Sequence, residues 1–239
     1  MALPNRGFGL FVVGVDGSPE GAHAHAVATE LARRCGARVL PVSADGASRV
    51  PDGSHRVPGL PGIELPRYAE SVGADLLILG RRPRDGSSPP LGATGDAVVR
   101  RSRVPCLLVP THVPVPRTVL LALDPGPRGG SVRDFTVAFT TAAGIALRCV
   151  SVKRVPGAPR GSHAPTTDPK ATCDDAGHCL RRWREGELST EILAEAEDVG
   201  ADSIAFGVHR GGQLGAASQL GVSHHLVREA RIALLTVPL

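Results

Sequence analysis

Two aspartates and two glycine-bearing loops are the residues of this chain whose types and spacing could do chemistry. Asp16 closes the apolar run 10–15 and Asp124 closes the run 118–123. A carboxylate at a strand end, Asp124 above all, can accept a hydrogen bond from a ribose hydroxyl or an adenine edge. Further on, Gly207-Val-His-Arg-Gly211-Gly212 is followed by Gly221-Val222-Ser223 and then by an apolar helical pattern. Glycines let backbone amides approach phosphate oxygens, and the start of a helix adds unpaired N–H groups and its positive dipole end. Ser223 suits a helix cap or a hydroxyl donor to phosphate. Among the histidines, His209 is the better placed for phosphate, whereas His224 and His225 read as solvent-facing or cap-adjacent. The earlier loop is weaker. It reads Gly80-Arg-Arg-Pro83 and then Gly92-Ala93-Thr94, and Pro83 removes an N–H donor. Arg81, Arg82 and Arg84 could still attract a phosphate there. The same residue types also build tight turns and helix caps, so each feature alone has a structural reading.

What positions these residues is a pattern that occurs twice. Continuous apolar runs ending at Asp16 and Asp124 suit strands buried on both faces. Each leads through a Gly/Pro/Ser turn into helical spacing: Ala24, Val27, Ala28, Leu31, Ala32 and Cys35, then Val132, Phe135, Phe139 and Ala142. Second strands follow at 37–43 and 147–152. Amphipathic helices around 65–72 and 188–199 precede Gly-Ala-Asp-Leu-Leu-Ile-Leu-Gly (73–80) and Gly-Ala-Asp-Ser-Ile-Ala-Phe-Gly (200–207). Final strands lie at 104–109 and 232–237, each followed by proline. The second copy is about nineteen residues longer between its aspartate and its strand-end glycine. The surplus falls largely in 155–176, which reads as a mobile surface loop. Pro114 and Pro116 mark the boundary, giving domains 1–114 and 115–239. Strand–helix alternation implies an α/β fold of two tandem open parallel sheets, Rossmann-like, with ligands beyond the carboxyl ends of the strands.

With these motifs in order, the chain resembles the universal stress protein family, apart from the 155–176 insertion. The family carries an Asp at the end of its first strand and a Gly-x-x-Gly-x9-Gly-Ser/Thr loop before its last helix. The match departs from the pattern: three residues separate Gly207 from Gly211, Val222 stands at the Ser/Thr position, and Ser223 follows one later. The resemblance implies the adenine nucleotide alpha hydrolase-like fold and binding of ATP or another adenine nucleotide, with or without Mg2+. Carried over, the site is Asp124, Val152, Gly207, His209, Gly211, Gly221, Val222 and Ser223. A weaker one in the first copy comprises Asp16, Val42, Gly80, Gly92 and Thr94. It also implies domains paired through their final strands, satisfied within one chain as a pseudo-dimer, with pairing of two chains as a further option. The expected activity is nucleotide binding in a stress response with little hydrolysis. The alternative is a scaffold of the same fold that has lost its ligand.

Composition narrows the choice. Of 239 residues 42% are apolar and 21% charged, the balance of a folded globular protein. All but two (Lys153 and Lys170) of the 27 basic residues are arginine, yet the net +4 is spread along the chain and aromatics are 3%, unlike a nucleic-acid surface. No apolar run is long enough to cross a bilayer, so a cytoplasmic location without membrane contact is expected. No Gly-Lys-Ser/Thr, G-x-G-x-x-G or G-x-S-x-G motif occurs, which argues against a P-loop enzyme, a dinucleotide dehydrogenase and a serine hydrolase. Neither a catalytic base nor a metal site is expected. Cys173, His178 and Cys179 lack paired ligand spacing, and Cys35, Cys106 and Cys149 read as free buried thiols.

Overall fold

The computed structural model describes residues 7–45, 52–82, 92–123, 129–154, 166–172, 180–209, 223 and 225–239. They form a single eleven-stranded sheet with helices on both faces. The N-terminal half contributes β1 (Leu10–Gly14), α1 (Pro19–Cys35), β2 (Arg38–Ala44), β3 (His55–Val57), α2 (Pro61–Ser71), β4 (Leu76–Arg81), α3 (Gly92–Arg101) and β5 (Cys106–Pro110). The C-terminal half contributes β6 (Thr118–Ala122), α4 (Gly129–Ala143), β7 (Ala146–Arg154), β8 (Thr166–Thr172), β9 (Leu180–Gly186), α5 (Leu188–Asp198), β10 (Ser203–Val208) and β11 (Ala233–Pro238), with residues 225–229 helical ahead of β11.

The strand order is β3-β2-β1-β4-β5-β11-β10-β6-β7-β9-β8. Within each half the order reverses beside its first strand, which puts one switch point between β1 and β4 and another between β6 and β10. Neighbours are parallel with two exceptions. β8 runs antiparallel to β9, and β5 runs antiparallel to β11 through Leu108↔Leu234, Leu107↔Leu235 and Cys106↔Thr236. The two final strands are therefore side by side and antiparallel.

Local chemistry starts and stops α1. Ser18 caps it by accepting from the Gly21 amide at 3.1 Å, Pro19 supplies a preset φ, and Gly36 ends it at φ +71° in the left-handed region. Its apolar stripe (Ala24, Val27, Ala28, Leu31) is buried on the sheet. On that face one core runs through both halves, because α1 and α4 lie on the same side. Phe8 joins them, its ring edge-to-face with Phe11, Phe135 and Phe139 at 5.8–6.0 Å. A second core, under α2, α3, α5 and residues 225–229, covers the other face.

The connection 111–117 is held by two adjacent residues near its start. The His23 ring meets the Val113 carbonyl at 2.7 Å, and the His112 ring meets the Arg231 carbonyl at 2.8 Å. The repeated Ala-Asp ahead of β4 and β10 has a structural use at the amino end of the sheet, opposite the candidate loops. One oxygen of Asp75, Oδ2, accepts from the amides of Gly9 (2.7 Å) and Leu10 (3.1 Å). Asp202 uses both oxygens, on Arg117 (2.8 Å) and Thr118 (3.1 Å). Each carboxylate thus clamps the start of the central strand of its half.

Three strands escape the sequence reading. β3 is a short edge strand, β9 lies between β7 and β8, and β8 lies inside the stretch read as a mobile loop. Thr166–Thr172 is a strand because β9 offers it a free edge, a long-range partner that local composition does not signal. The stretches 155–165 and 173–179, with Cys173, His178 and Cys179, lie outside the described residues. The cysteine reading is corrected at one position: Cys149 is disulfide-bonded rather than free, to a partner outside the described residues. Cys35 and Cys106 are free.

β9 and α5 also hold a buried ionic cluster. The Arg184 guanidinium, 3% exposed, pairs with Glu195 (2.6 Å), Glu191 (3.0 Å) and Asp198, and Arg182 reaches Glu195 at 2.9 Å. The matching places in the N-terminal half, set by strand register, are Val57 for Arg184 and His55 for Arg182. There His55 stacks on Tyr68 of α2 at 4.7 Å.

Two outcomes follow from these contacts. Asp75→Ala and Asp202→Ala should each lose about 1–3 kcal/mol in urea denaturation, since each leaves two strand-start amides without their carboxylate acceptor. Burial pushes the Cys35 thiol up to about 11 and the Cys106 thiol up to about 12. The folded state therefore keeps protons that the unfolded chain releases near the ordinary value of 9.0, and stability should fall as pH climbs past that value. Iodoacetamide labelling of these two thiols at neutral pH should be slow until the protein is unfolded.

Candidate functional site

At the first switch point the sequence-predicted residues gather around the first turn of α1. Asp16 is exposed just beyond β1, and its Oδ1 accepts from the Ser18 amide (3.0 Å) and hydroxyl (2.5 Å). Since Ser18 Oγ itself accepts from Gly21, the carboxylate anchors the cap of α1. Gly80 sits over the same turn. A Cβ there would lie 2.3 Å from the Glu20 carbonyl oxygen. The glycine thus permits a helix to rest directly on the end of β4. Val42 is buried, and its carbonyl accepts from the Val15 amide at 2.9 Å. Gly92 begins α3, and Thr94, half-buried, lies where α3 meets α2, its carbonyl oxygen 3.5 Å from the place a Cβ on Gly62 would occupy.

Arg81 does not face a phosphate position. It is 4% exposed and its guanidinium enters the interior, donating to the carbonyls of Ala230 and Ile232. The reading of Arg81 as a phosphate attractor is overturned by that burial; Arg82 is exposed, and Arg84 lies outside the described residues. Gly80 is thus used for packing, Asp16 for capping, and the Arg81 guanidinium is turned into the interior.

At the second switch point Gly207 ends β10 where α4 leans on it: a Cβ would stand 2.9 Å from Leu239 Cδ1 and 3.0 Å from Val132 Cγ2. His209, the next residue beyond β10 at its carboxyl end, is half-buried, and Ser223, ahead of the 225–229 helical segment, is half-buried too. Val152, on β7, is half-buried against the second core. Asp124, Gly211, Gly221, Val222 and His224 lie outside the described residues. Histidine and serine side chains beside a glycine loop are donors suited to an anion. Among the described residues His209 and Ser223 supply such donors in the C-terminal half.

Strand register separates two residues that looked equivalent. Val42 lies opposite Gly14, and its counterpart opposite Ala122 is Val150; Val152 corresponds to Ala44. The serine between them differs in its bonding. Ser151 donates to the Leu123 carbonyl at 2.9 Å, whereas the buried Ser43 hydroxyl makes no hydrogen bond among the described residues. Sequence reasoning missed both serines, although aligning the two copies places Ser43 on Ser151 directly. It also missed the role of Arg81, which no local pattern could reveal because its partners lie far along the chain.

Residues 45–110 match the family model described as Universal stress protein family. The resemblance is to that family. A universal stress protein from Archaeoglobus fulgidus DSM 4304 is 15% identical, covering 96% of this chain and 98% of its own, with a TM-score of 0.67. A functionally unknown protein from Pseudomonas aeruginosa PAO1 is 13% identical, covering 99% of this chain and 95% of its own, with a TM-score of 0.69. A universal stress protein in complex with cAMP is 25% identical over 44% of this chain and 99% of its own, with a TM-score of 0.37. No curated protein matches the sequence. At these identities the two full-length likenesses establish the α/β universal stress protein fold from end to end. Among the described residues no helix is long and apolar enough to cross a membrane, and no group of three His, Cys, Asp or Glu could hold a metal.

The two strand-end glycines should respond differently to a methyl group. Gly80→Ala meets backbone at 2.3 Å and should lose about 1–3 kcal/mol in thermal or urea melts, while Gly207→Ala meets mainly side-chain ends that can turn aside and should lose less.

Proposed function

We propose that the chain is a universal stress protein-like module that binds ATP or another adenine nucleotide in its C-terminal half, with or without Mg2+, and turns it over little. The supporting observation is the second switch point, where β6 and β10 are paired and the chain leaves β10 just after Gly207, at His209. Asp124 and Val152 hold the adenosine part. The amides of Gly207, Gly211, Gly221 and Val222, with His209 and the Ser223 hydroxyl, hold the phosphates. None of these residues is an evident base for water, which is why binding without catalysis is the reading.

The chain is divided into 1–114 and 115–239, and the antiparallel junction of β5 with β11 makes the two domains an internal pseudo-dimer. A specific observation favours a different role for the first domain. Gly80 and Arg81 serve packing there, so that domain acts as a ligand-free scaffold presenting surfaces to partners. The module works in the cytoplasm, with no nucleic-acid or membrane partner.

Isothermal titration of the full chain with ATP, with and without Mg2+, should give one site per chain, and Asp124→Ala should weaken it about tenfold, the value of one charge-assisted hydrogen bond. Phosphate release over the same period should stay at the background rate. Neither heat nor a thermal shift at millimolar ATP and AMP would sink the nucleotide reading and leave the scaffold.

A further inference from the structure

The two halves finish their last helices differently. In the N-terminal half the Ser102 amide donates to the Val98 carbonyl (2.8 Å), and the Ser102 hydroxyl donates to the Val104 carbonyl (2.6 Å). The exposed end of α3 is thereby closed from within. In the C-terminal half the corresponding amide is that of Ala230, donating to Leu226 at 2.9 Å, and a methyl group stands where the hydroxyl would be. The acceptors are instead met from the other half of the chain. Arg81 Nη2 donates to the Ala230 carbonyl and Nη1 to the Ile232 carbonyl at 3.5 Å. Val208, which follows Gly207 as Arg81 follows Gly80, offers no reciprocal bond.

This substitution is costly in its own right. Arg81 Nε is buried without a hydrogen-bond partner, and burial lowers the guanidinium to about 10. A buried charge held only by carbonyl groups is a poor way to gain stability. Its gain lies in where it holds the chain.

We propose that Arg81 is a positioning residue for the nucleotide site of the C-terminal half: by capping the carbonyls of Ala230 and Ile232 it fixes the far end of the helical segment 225–229 and, ahead of it, Ser223. The inference rests on the nucleotide reading given above. It makes the first domain a structural contributor to the second domain's site across the β5–β11 junction.

The experiment uses the full chain as wild type, R81M, the double variant R81M/A230S, and F8L. The double variant restores a serine cap of the kind Ser102 provides. F8L loosens the aromatic contact between the halves without touching the helix. Hydrogen exchange should show the amides of 226–232 opening about tenfold faster in R81M, those of 98–104 unchanged, and protection regained in R81M/A230S. ATP affinity by titration should fall about tenfold in R81M, recover in R81M/A230S, and stay at the wild-type value in F8L even where its melting temperature drops. Unchanged exchange in R81M overturns the proposal, as does faster exchange with unchanged affinity. An F8L loss of affinity equal to that of R81M overturns it too, by assigning the effect to junction stability. Should the wild type take no ATP, the nucleotide reading falls, and exchange alone then decides whether Arg81 is the cap.

Discussion

A parallel sheet that stops at an open strand leaves a row of amides and carbonyls without partners, and each half of this chain has such a strand. The antiparallel pairing of β5 with β11 removes both edges at once and turns two five- and six-stranded arrangements into one sheet. Much else is arranged around that seam. Phe8 bridges to α4 because the pairing brings α1 and α4 onto one face. Two histidine contacts hold the connection 111–117, His23 from α1 and His112 to the Arg231 carbonyl ahead of β11.

The seam also breaks the equivalence of the halves. A repeat that paired symmetrically would make each contact twice, yet Arg81 crosses the junction and Val208 does not. The inward turn of one arginine both removes a cation from the first loop and gives the last helix an external cap. The halves therefore differ in what this strand-end position does: a cap across the junction in one, an apolar side chain in the other.

Much of this architecture was legible in the residues. Apolar runs ending at Asp16 and Asp124 gave β1 and β6, and the helical spacing of Ala24 to Cys35 gave α1, because burial on a sheet leaves a periodic trace. The strands β3, β8 and β9 left none, since a partner distant in sequence decides them. At the candidate site the strand-end positions of Gly80 and Gly207 could be read, but not their use. A glycine under a helix and a glycine under a phosphate answer the same need for close approach, and only the position of the Glu20 carbonyl separates them. Arg81 and Cys149 were misread for a related reason: spacing does not say which way a side chain turns or what it meets.

The ionic cluster around Arg184 bears on how the two halves can continue to drift. In one half a valine and a His–Tyr stack fill the space under the helix; in the other, two arginines and their carboxylates do. Removing Arg184 leaves the buried carboxylates of Glu191 and Glu195 without their central cation, a loss on the order of 3–5 kcal/mol. No single substitution leads back from the ionic solution to the apolar one. Once the cluster had assembled, the route by which the copies could converge again, or trade segments by recombination, was closed, and duplication had become a one-way step.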